Sequence, residues 1–263
     1  MRIPRRRRAS AIEVTYHQLE LPRLPRAFAG LRVVQLSDIH HGLYVPLERV
    51  REAVGLANRL EPDLVALTGD FVSHSPRYID PTVEALGGLR ASLGVFAVLG
   101  NHDHRVGAAR VADALAGVGV HVLRNRHVCI TRDGASFFLA GVDDLRYRED
   151  NLRLALHRVP PEAARFLLCH NPRILPLAVT LGIDLVLSGH THGGQIGFRR
   201  LRRLAAARGL RLPFAYGWQR HNGTQLYISR GLGTVVLPIR LRCPAEIPLL
   251  RLYPFPGLSS AEG

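Results

Sequence analysis

Short apolar runs that break off at small polar residues recur along the chain. Leu31-Arg32-Val33-Val34-Gln35-Leu36-Ser37 ends at Asp38-Ile39-His40, residues 63–68 close on Gly69-Asp70, and residues 94–99 close on Gly100-Asn101-His102-Asp103. Between these runs the period changes. Pro46 stands where a helix would start, and Leu47, Val50, Val54, Leu56, Ala57 and Leu60 continue at helical spacing; a second helix is predicted over 81–91. Strand, polar cluster and helix in repetition are the grammar of βαβ units, in which ligands collect at the carboxyl ends of parallel strands.

The later chain continues the pattern. A helix is predicted over 107–117, a strand over 120–123, and a hairpin from strands 128–131 and 136–141 joined at Asp133-Gly134, beginning a second sheet. Helices over 149–157 and 174–181 flank a strand over 165–169 that ends at His170-Asn171-Pro172. The run at 183–188 then releases Gly189-His190-Thr191-His192-Gly193-Gly194-Gln195. Two histidines at i and i+2 on an extended segment point the same way. The glycines after them let the backbone approach an ion or phosphate, leaving room for the latter. Late strands are predicted over 224–229 and 247–252, and an edge strand over 12–21.

The expected organisation is a basic tail and edge segment over 1–30, one domain over 31–253, and a frayed C-terminal tail over 254–263. The 263 residues carry 35 basic against 21 acidic side chains, a formal net charge of +14. Such a balance suits anionic partners: phosphates, acidic headgroups or nucleic acid. All of the basic residues are arginine, which weakens the charge as a functional signal, because it also follows from base composition. The Arg5-Arg6-Arg7-Arg8 run lacks the apolar stretch of an export signal behind it, so a cytoplasmic protein is expected, with the run a solvated tail or a tether to the inner membrane. A second arginine-rich stretch, 199–211, reads as a solvated loop or short amphipathic helix. Cys129, Cys169 and Cys243 are odd in number and widely spaced, as for reduced thiols.

Candidate chemistry gathers at the strand ends: Asp38, His40, Asp70, Asn101, His102, His170, His190 and His192. Singly, each has a plain reading as a turn cap or a core imidazole. Together they form the mixed oxygen and nitrogen set that Mn, Fe and Zn accept. Seven ligands from among these eight residues exceed one tetrahedral site but suit two ions about 3.5–4 Å apart if one carboxylate bridges, an arrangement that serves phosphoryl transfer.

Asp38-Ile39-His40, Gly69-Asp70, Gly100-Asn101-His102-Asp103, His170 and Gly189-His190-Thr191-His192 resemble, in order, the five motifs of the calcineurin-like metallophosphoesterase superfamily. The extended Gly-His-Thr-His-Gly-Gly-Gln, with residues 227–233 and 242–247, is similar to a bacterial branch often linked to membranes. The resemblance implies an α/β fold, a four-layer α/β/β/α sandwich of two mixed β-sheets flanked by helices. It implies that Asp38, His40 and His192 bind one divalent metal ion, that Asp70 bridges, and that Asn101, His170 and His190 bind a second. It implies direct attack by a metal-bridging hydroxide, with His102 contacting the phosphate and protonating the leaving oxygen and Asp103 orienting His102. The expected substrate is a phosphodiester or pyrophosphate, with a UDP-diacylglucosamine-like lipid precursor as one form. A nuclease, suggested by the positive charge, or a nucleotide phosphodiesterase, and a non-catalytic metal-binding scaffold of the same fold are the alternatives. His41, His74 and His104 lie beside motifs as contacts of the site or as solvated loop residues. Arg230 is expected to meet the phosphate or pair with an acid, and Cys169 to be a buried small hydrophobe.

Overall fold

A computed structural model describes residues 11–195, 216–235 and 237–255. The arginine run at 5–8, the stretch 199–211 and most of the C-terminal tail lie outside the described residues. Two six-stranded mixed sheets pack face to face. The first contains β1 (Glu13–Leu21), β2 (Leu31–Leu36), β3 (Leu64–Leu67), β4 (Val95–Ala97), β5 (His121–Val122) and β12 (Glu246–Pro254), in the order β1-β12-β2-β3-β4-β5. The second contains β6 (Arg126–Arg132), β7 (Ala135–Gly141), β8 (Arg165–Leu168), β9 (Leu185–Ser188), β10 (Gly217–His221) and β11 (Thr224–Ile228), in the order β10-β11-β9-β8-β7-β6.

The continuous apolar runs of the sequence are explained by burial on both faces, since a strand covered on two sides has no polar face to alternate with. Val33 of β2, Ala66 of β3 and Phe96 of β4 pack inward against Phe137, Phe166, Leu185 and Leu187 of the second sheet. Val34, Leu36, Val65 and Leu67 point outward onto α1 (Leu47–Arg59), α2 (Ile79–Leu86) and α3 (Asn101–Gly117). Ala140, Leu167 and Val186 of the second sheet do the same against α4 (Leu152–Ala155) and α5 (Leu175–Thr180). The result is the expected α/β/β/α sandwich. β2 through β5 run parallel, as do β7, β8, β9 and β11, so the carboxyl ends of β2, β3, β4, β8 and β9 meet at one edge.

Several boundaries differ from the sequence reading. The helix expected over 81–91 is α2, which stops at Leu86 because Gly87 and Gly88 follow. The helix expected over 149–157 shrinks to α4, whose start is fixed by the Asn151 side chain accepting the Leu154 N–H at 2.9 Å. The helix expected to begin at Gly107 starts six residues earlier, at Asn101, and is kinked at Gly107 (φ 123°). β10 is a further element, joined to β11 through a tight turn in which Asn222 and Gly223 both have positive φ. β1 occupies the predicted edge, paired in parallel with β12. No described helix is long and apolar enough to cross a membrane.

Candidate metal centre

Three of the strands that end at the shared edge, β2, β3 and β9, deliver their polar residues through left-handed turns. Asp38, His40, Asp70, His190 and His192 all have φ between 51° and 71°. Left-handed backbone is uncommon outside glycine and clusters where structure is held for function. Two glycines show how tightly the turns pack. A Cβ on Gly100 would lie 2.2 Å from Asp70 Oδ1, and one on Gly189 would lie 2.2 Å from Asp38 Oδ2 and 1.9 Å from Ser37 Oγ.

The side chains converge in two groups that share one atom. Asp70 Oδ2 lies 3.4 Å from His40 Nε2 and 3.3 Å from His170 Nε2. On the first side His40 Nε2 is 3.1 Å from His192 Nε2, which is 3.3 Å from Asp38 Oδ1. On the second side His170 Nε2 is 3.1 Å from His190 Nδ1. Donor atoms held about 2.0–2.1 Å from one ion at right or tetrahedral angles are about 3.0–3.4 Å apart, so these spacings are those of ligand atoms around a cation. Asp38, His40, Asp70 and His192 are all buried, with potential ligand atoms within 4.8 Å of one another. The buried Asn101 Oδ1 and His192 Nδ1 have no hydrogen-bond partner among the described residues.

The surroundings orient these groups. His170 Nδ1 donates to the Thr68 carbonyl at 2.8 Å, which leaves its Nε2 lone pair facing the Asp70 carboxylate. Two such groups repel unless a cation lies between them. Burial alone would strip a proton from His170, but the Asp70 charge overrides it and raises the imidazole to about 10. Burial likewise favours a neutral Asp70, yet His170 and His40 hold it well below the usual carboxylate range. A divalent ion would displace the proton held on this pair, as metal binding generally does. Burial drives His192 down to about 3, so it is a neutral imidazole, the ligating form. Ser37 Oγ donates to Asp38 Oδ2 at 2.6 Å, and Ser73 Oγ sits 2.9 Å from His40 Nδ1. Partners of this kind fix ring and carboxylate orientation at metal sites. The donor set fits a pair of divalent ions.

His102 stands at the rim, half-buried, its ring 4.7 Å from that of His40 and its Nδ1 without a partner among the described residues. The expectation that Asp103 orients it does not hold. The Asp103 carboxylate accepts the backbone N–H groups of Asp70, Phe71 and Gly100 at 2.7, 2.9 and 2.9 Å, and none of its bonds reaches the His102 ring. A carboxylate at the third position of α3 is drawn to unpaired amides of the helix start and the neighbouring loop. Gly193 also departs from expectation: a Cβ there would meet Cys243 Sγ at 2.7 Å, so that glycine serves close packing and not room for phosphate. Gln195 staples the late loop, accepting the Val235 N–H and donating to the Val235 carbonyl.

The neighbouring residues resolve as follows. Arg230 pairs with Glu246 and Glu13. His41 is buried and bonded to the Val45 carbonyl, and His104 is ion-paired to Asp143 at 2.6 Å, so neither is a solvated loop residue. The His74 ring lies 5.9 Å from that of His102. Cys169 is a buried hydrophobe, as expected, and all three thiols are free. Arg240 was not legible among so many arginines. It is mostly buried and donates to the carbonyls of Arg230, Gly231, Gly233 and Cys243, closing the loop behind Asp38.

Comparison with known proteins decides what this edge belongs to. The calcineurin-like phosphoesterase model matches residues 31–194, which include every residue of the two groups. The chain belongs to the calcineurin-like phosphoesterase family. The chain is 30% identical to the uncharacterized metallophosphoesterase YkuE of Bacillus subtilis over 92% of this chain and 85% of that one. It is 32% identical to a transmembrane protein with a metallophosphoesterase domain from Danio rerio, over 88% of this chain and 55% of that one. The phosphopantetheinyl hydrolase of Mycobacterium tuberculosis has a similar fold, with 12% identity, a TM-score of 0.50, and coverage of 87% of this chain and 98% of that one. As a member of this family the chain is a phosphoester hydrolase with a centre suited to divalent metal ions.

Proposed function

We propose that the chain hydrolyses phosphodiester or pyrophosphate bonds with two divalent metal ions held at the strand ends. Asp38, His40 and His192 hold one ion, Asn101, His170 and His190 the other, and Asp70 bridges. The observation that carries this reading is the position of Asp70 Oδ2, within 3.4 Å of one imidazole from each group. The mixed carboxylate, amide and imidazole set suits Mn, Fe or Zn. Bound there, such ions supply Lewis-acid polarisation of the phosphoryl oxygens and an activated water at neutral pH.

The chain's own residues supply the rest. Ser37 and Ser73 keep the Asp38 carboxylate and the His40 ring in ligating orientation. His102 faces the phosphate and passes a proton to the leaving oxygen. Burial lowers its pKa to about 4, and an approaching phosphate anion opposes that shift by favouring the charged ring. A pyrophosphate-linked lipid precursor of the UDP-diacylglucosamine type is the substrate form we favour, and peripheral contact with an anionic membrane accompanies it. The Danio rerio relative is named as a transmembrane protein, which supports the membrane part of the reading.

The test is a metal and activity titration. Protein purified with Mn should contain about two ions per chain by elemental analysis and hydrolyse bis(p-nitrophenyl) phosphate, losing activity with chelator and regaining it with Mn. Asp70→Asn should lose both ions and all measurable activity. Full activity in metal-stripped protein would overturn the two-metal reading.

A further inference from the structure

Beside His190 a recess of about 560 Å³ opens on the metal centre, a volume in the range of small-ligand sites. Its walls include Arg146, Asp150, Asn171, Arg173 and His190. Neither guanidinium has an ion-pair or hydrogen-bond partner among the described residues, although most acids near the centre are already paired. Exposed arginines are common on a chain with a net charge of +14, so their presence alone says little. Their placement says more.

Both arginines stand on fixed turns that leave the same sheet edge as the metal-binding residues. β7 is followed by Asp143-Asp144, and Asp144 Oδ1 accepts the backbone N–H groups of Arg146 and Tyr147 at 2.9 and 3.1 Å. β8 is followed by His170-Asn171, and Asn171 Oδ1 accepts the backbone N–H of Arg173 at 3.0 Å. Arg173 is therefore three residues beyond His170, on a turn tied by its own cap. Two cations on preset backbone beside His190 would offer an anion a site that needs little ordering on binding. Guanidinium forks match phosphate and carboxylate geometry. Asp150 adds an acceptor for a hydroxyl or amine of the same ligand.

We infer that this recess holds the portion of the substrate beyond the scissile phosphorus, and that Arg146 and Arg173 select esters carrying a second anionic group there, such as the second phosphate of a nucleoside diphosphate ester. This rests on the phosphoesterase reading above and adds to it the two side chains that read the substrate's second charge.

The experiment compares two substrates on the Mn-loaded protein: bis(p-nitrophenyl) phosphate, which has one anionic centre, and a nucleoside diphosphate sugar, which has two. In Arg146→Ala/Arg173→Ala the KM for the diphosphate ester should rise about tenfold to a hundredfold, the range expected for losing charge-assisted hydrogen bonds. kcat/KM for bis(p-nitrophenyl) phosphate should stay within about twofold. Arg173→Glu should raise the diphosphate KM further while leaving the simple diester alone. Equal losses on both substrates, no loss on either, or failure of the wild-type protein to accept the diphosphate ester would each overturn the assignment. Failure of the wild-type protein on both substrates would instead remove the phosphoesterase reading beneath it.

Discussion

Asp70 and Asp103 hold each other's loops: the Asp103 carboxylate accepts the Asp70 N–H at 2.7 Å, and the Asp70 carboxylate accepts the N–H of His102, next to Asp103, at 2.8 Å. The end of β3 and the start of α3 are thereby clasped in both directions. One Asp70 oxygen is used by this clasp and the other is left to face His40 and His170. The residue that lies between the two groups is thus positioned by one whose carboxylate faces neither set of imidazoles.

Asp103→Ala should therefore destabilise the protein without removing a ligand. Three backbone N–H groups would be left without their acceptor in a dry place, and each buried unsatisfied donor costs about 1–3 kcal/mol. A total loss of about 3–5 kcal/mol in urea unfolding is expected, with partial relaxation holding it below the sum. Metal content measured in the fraction that remains folded should fall as well, because the Asp70 turn is no longer fixed. Unchanged stability would show that solvent replaces the clasp.

Gly189→Ala should weaken metal binding while leaving every candidate ligand in the sequence. The added methyl would overlap Asp38 Oδ2, a member of the first group, and Ser37 Oγ, the hydroxyl that orients it. Relief requires moving the Asp38 carboxylate, on which the His190 N–H also rests at 3.0 Å. Elemental analysis of purified Gly189→Ala should find fewer than two ions per chain. Gly134→Ala is the control, since nothing lies within 4 Å of its added carbon. Its positive φ of 75° in the hairpin turn affects stability far from the centre.

The strands and their order of chemistry were legible because burial on both faces writes a strand as a bare apolar run, and each run stopped at the residue that mattered. Asp38, His40, Asp70, Asn101, His170, His190 and His192 could be collected from those stops before any coordinates. What stayed hidden was the support. Ser73, the Thr68 carbonyl and Arg240 act through tertiary contacts that leave no spacing in the chain. The Asp103 bonds were misassigned because adjacency to His102 in sequence says nothing of side-chain direction: one helical position turns the carboxylate toward the Asp70 loop. β10 left a signal in Asn222-Gly223, a turn pair that favours a tight hairpin, but its Gly-Trp-Gln-Arg-His strand lacks the apolar run that marked the others.

His102→Ala should separate chemistry from assembly. The His102 contact with Asp70 is made by its backbone N–H and survives truncation, and the ring packs at the rim against His40. Metal content and unfolding midpoint should stay near those of the wild type. kcat on bis(p-nitrophenyl) phosphate should fall about 10²- to 10⁴-fold, the range for removing a positioned proton donor. A less basic leaving group needs less help from a proton, so the loss should shrink as the leaving phenol becomes more acidic. A loss independent of the leaving group would mean that the ring only contacts the phosphate.

His104 and Asp143 form a buried ion pair at 2.6 Å between α3 and the end of β7, tying the helix that carries Asn101 and His102 to the second sheet. Arg124 also bonds Asp143, Glu149 approaches His104 Nδ1 at 4.0 Å, Asp144 adds a further negative charge nearby, and the Tyr147 ring stacks on the imidazole. Burial opposes protonation of His104, but the Asp143 hydrogen bond and charge outweigh it and raise the pKa above 6.5. Burial likewise opposes ionisation of Asp143, and His104 and Arg124 bring it below 3.8. The raised histidine contributes stability that is complete below 6.5 and lost as pH climbs through its folded value. The depressed aspartate contributes stability present above 3.8 and lost as pH falls through its own. Their window of joint benefit therefore lies between those limits. His104→Gln should cost about 1–3 kcal/mol at pH 6, the range for a hydrogen bond between charged groups, and distinctly less at pH 9. Other titrating groups are common to both proteins and cancel in the difference between their urea unfolding curves. A cost that grew with pH would mean that His104 is neutral in the folded protein and that Arg124 alone satisfies Asp143.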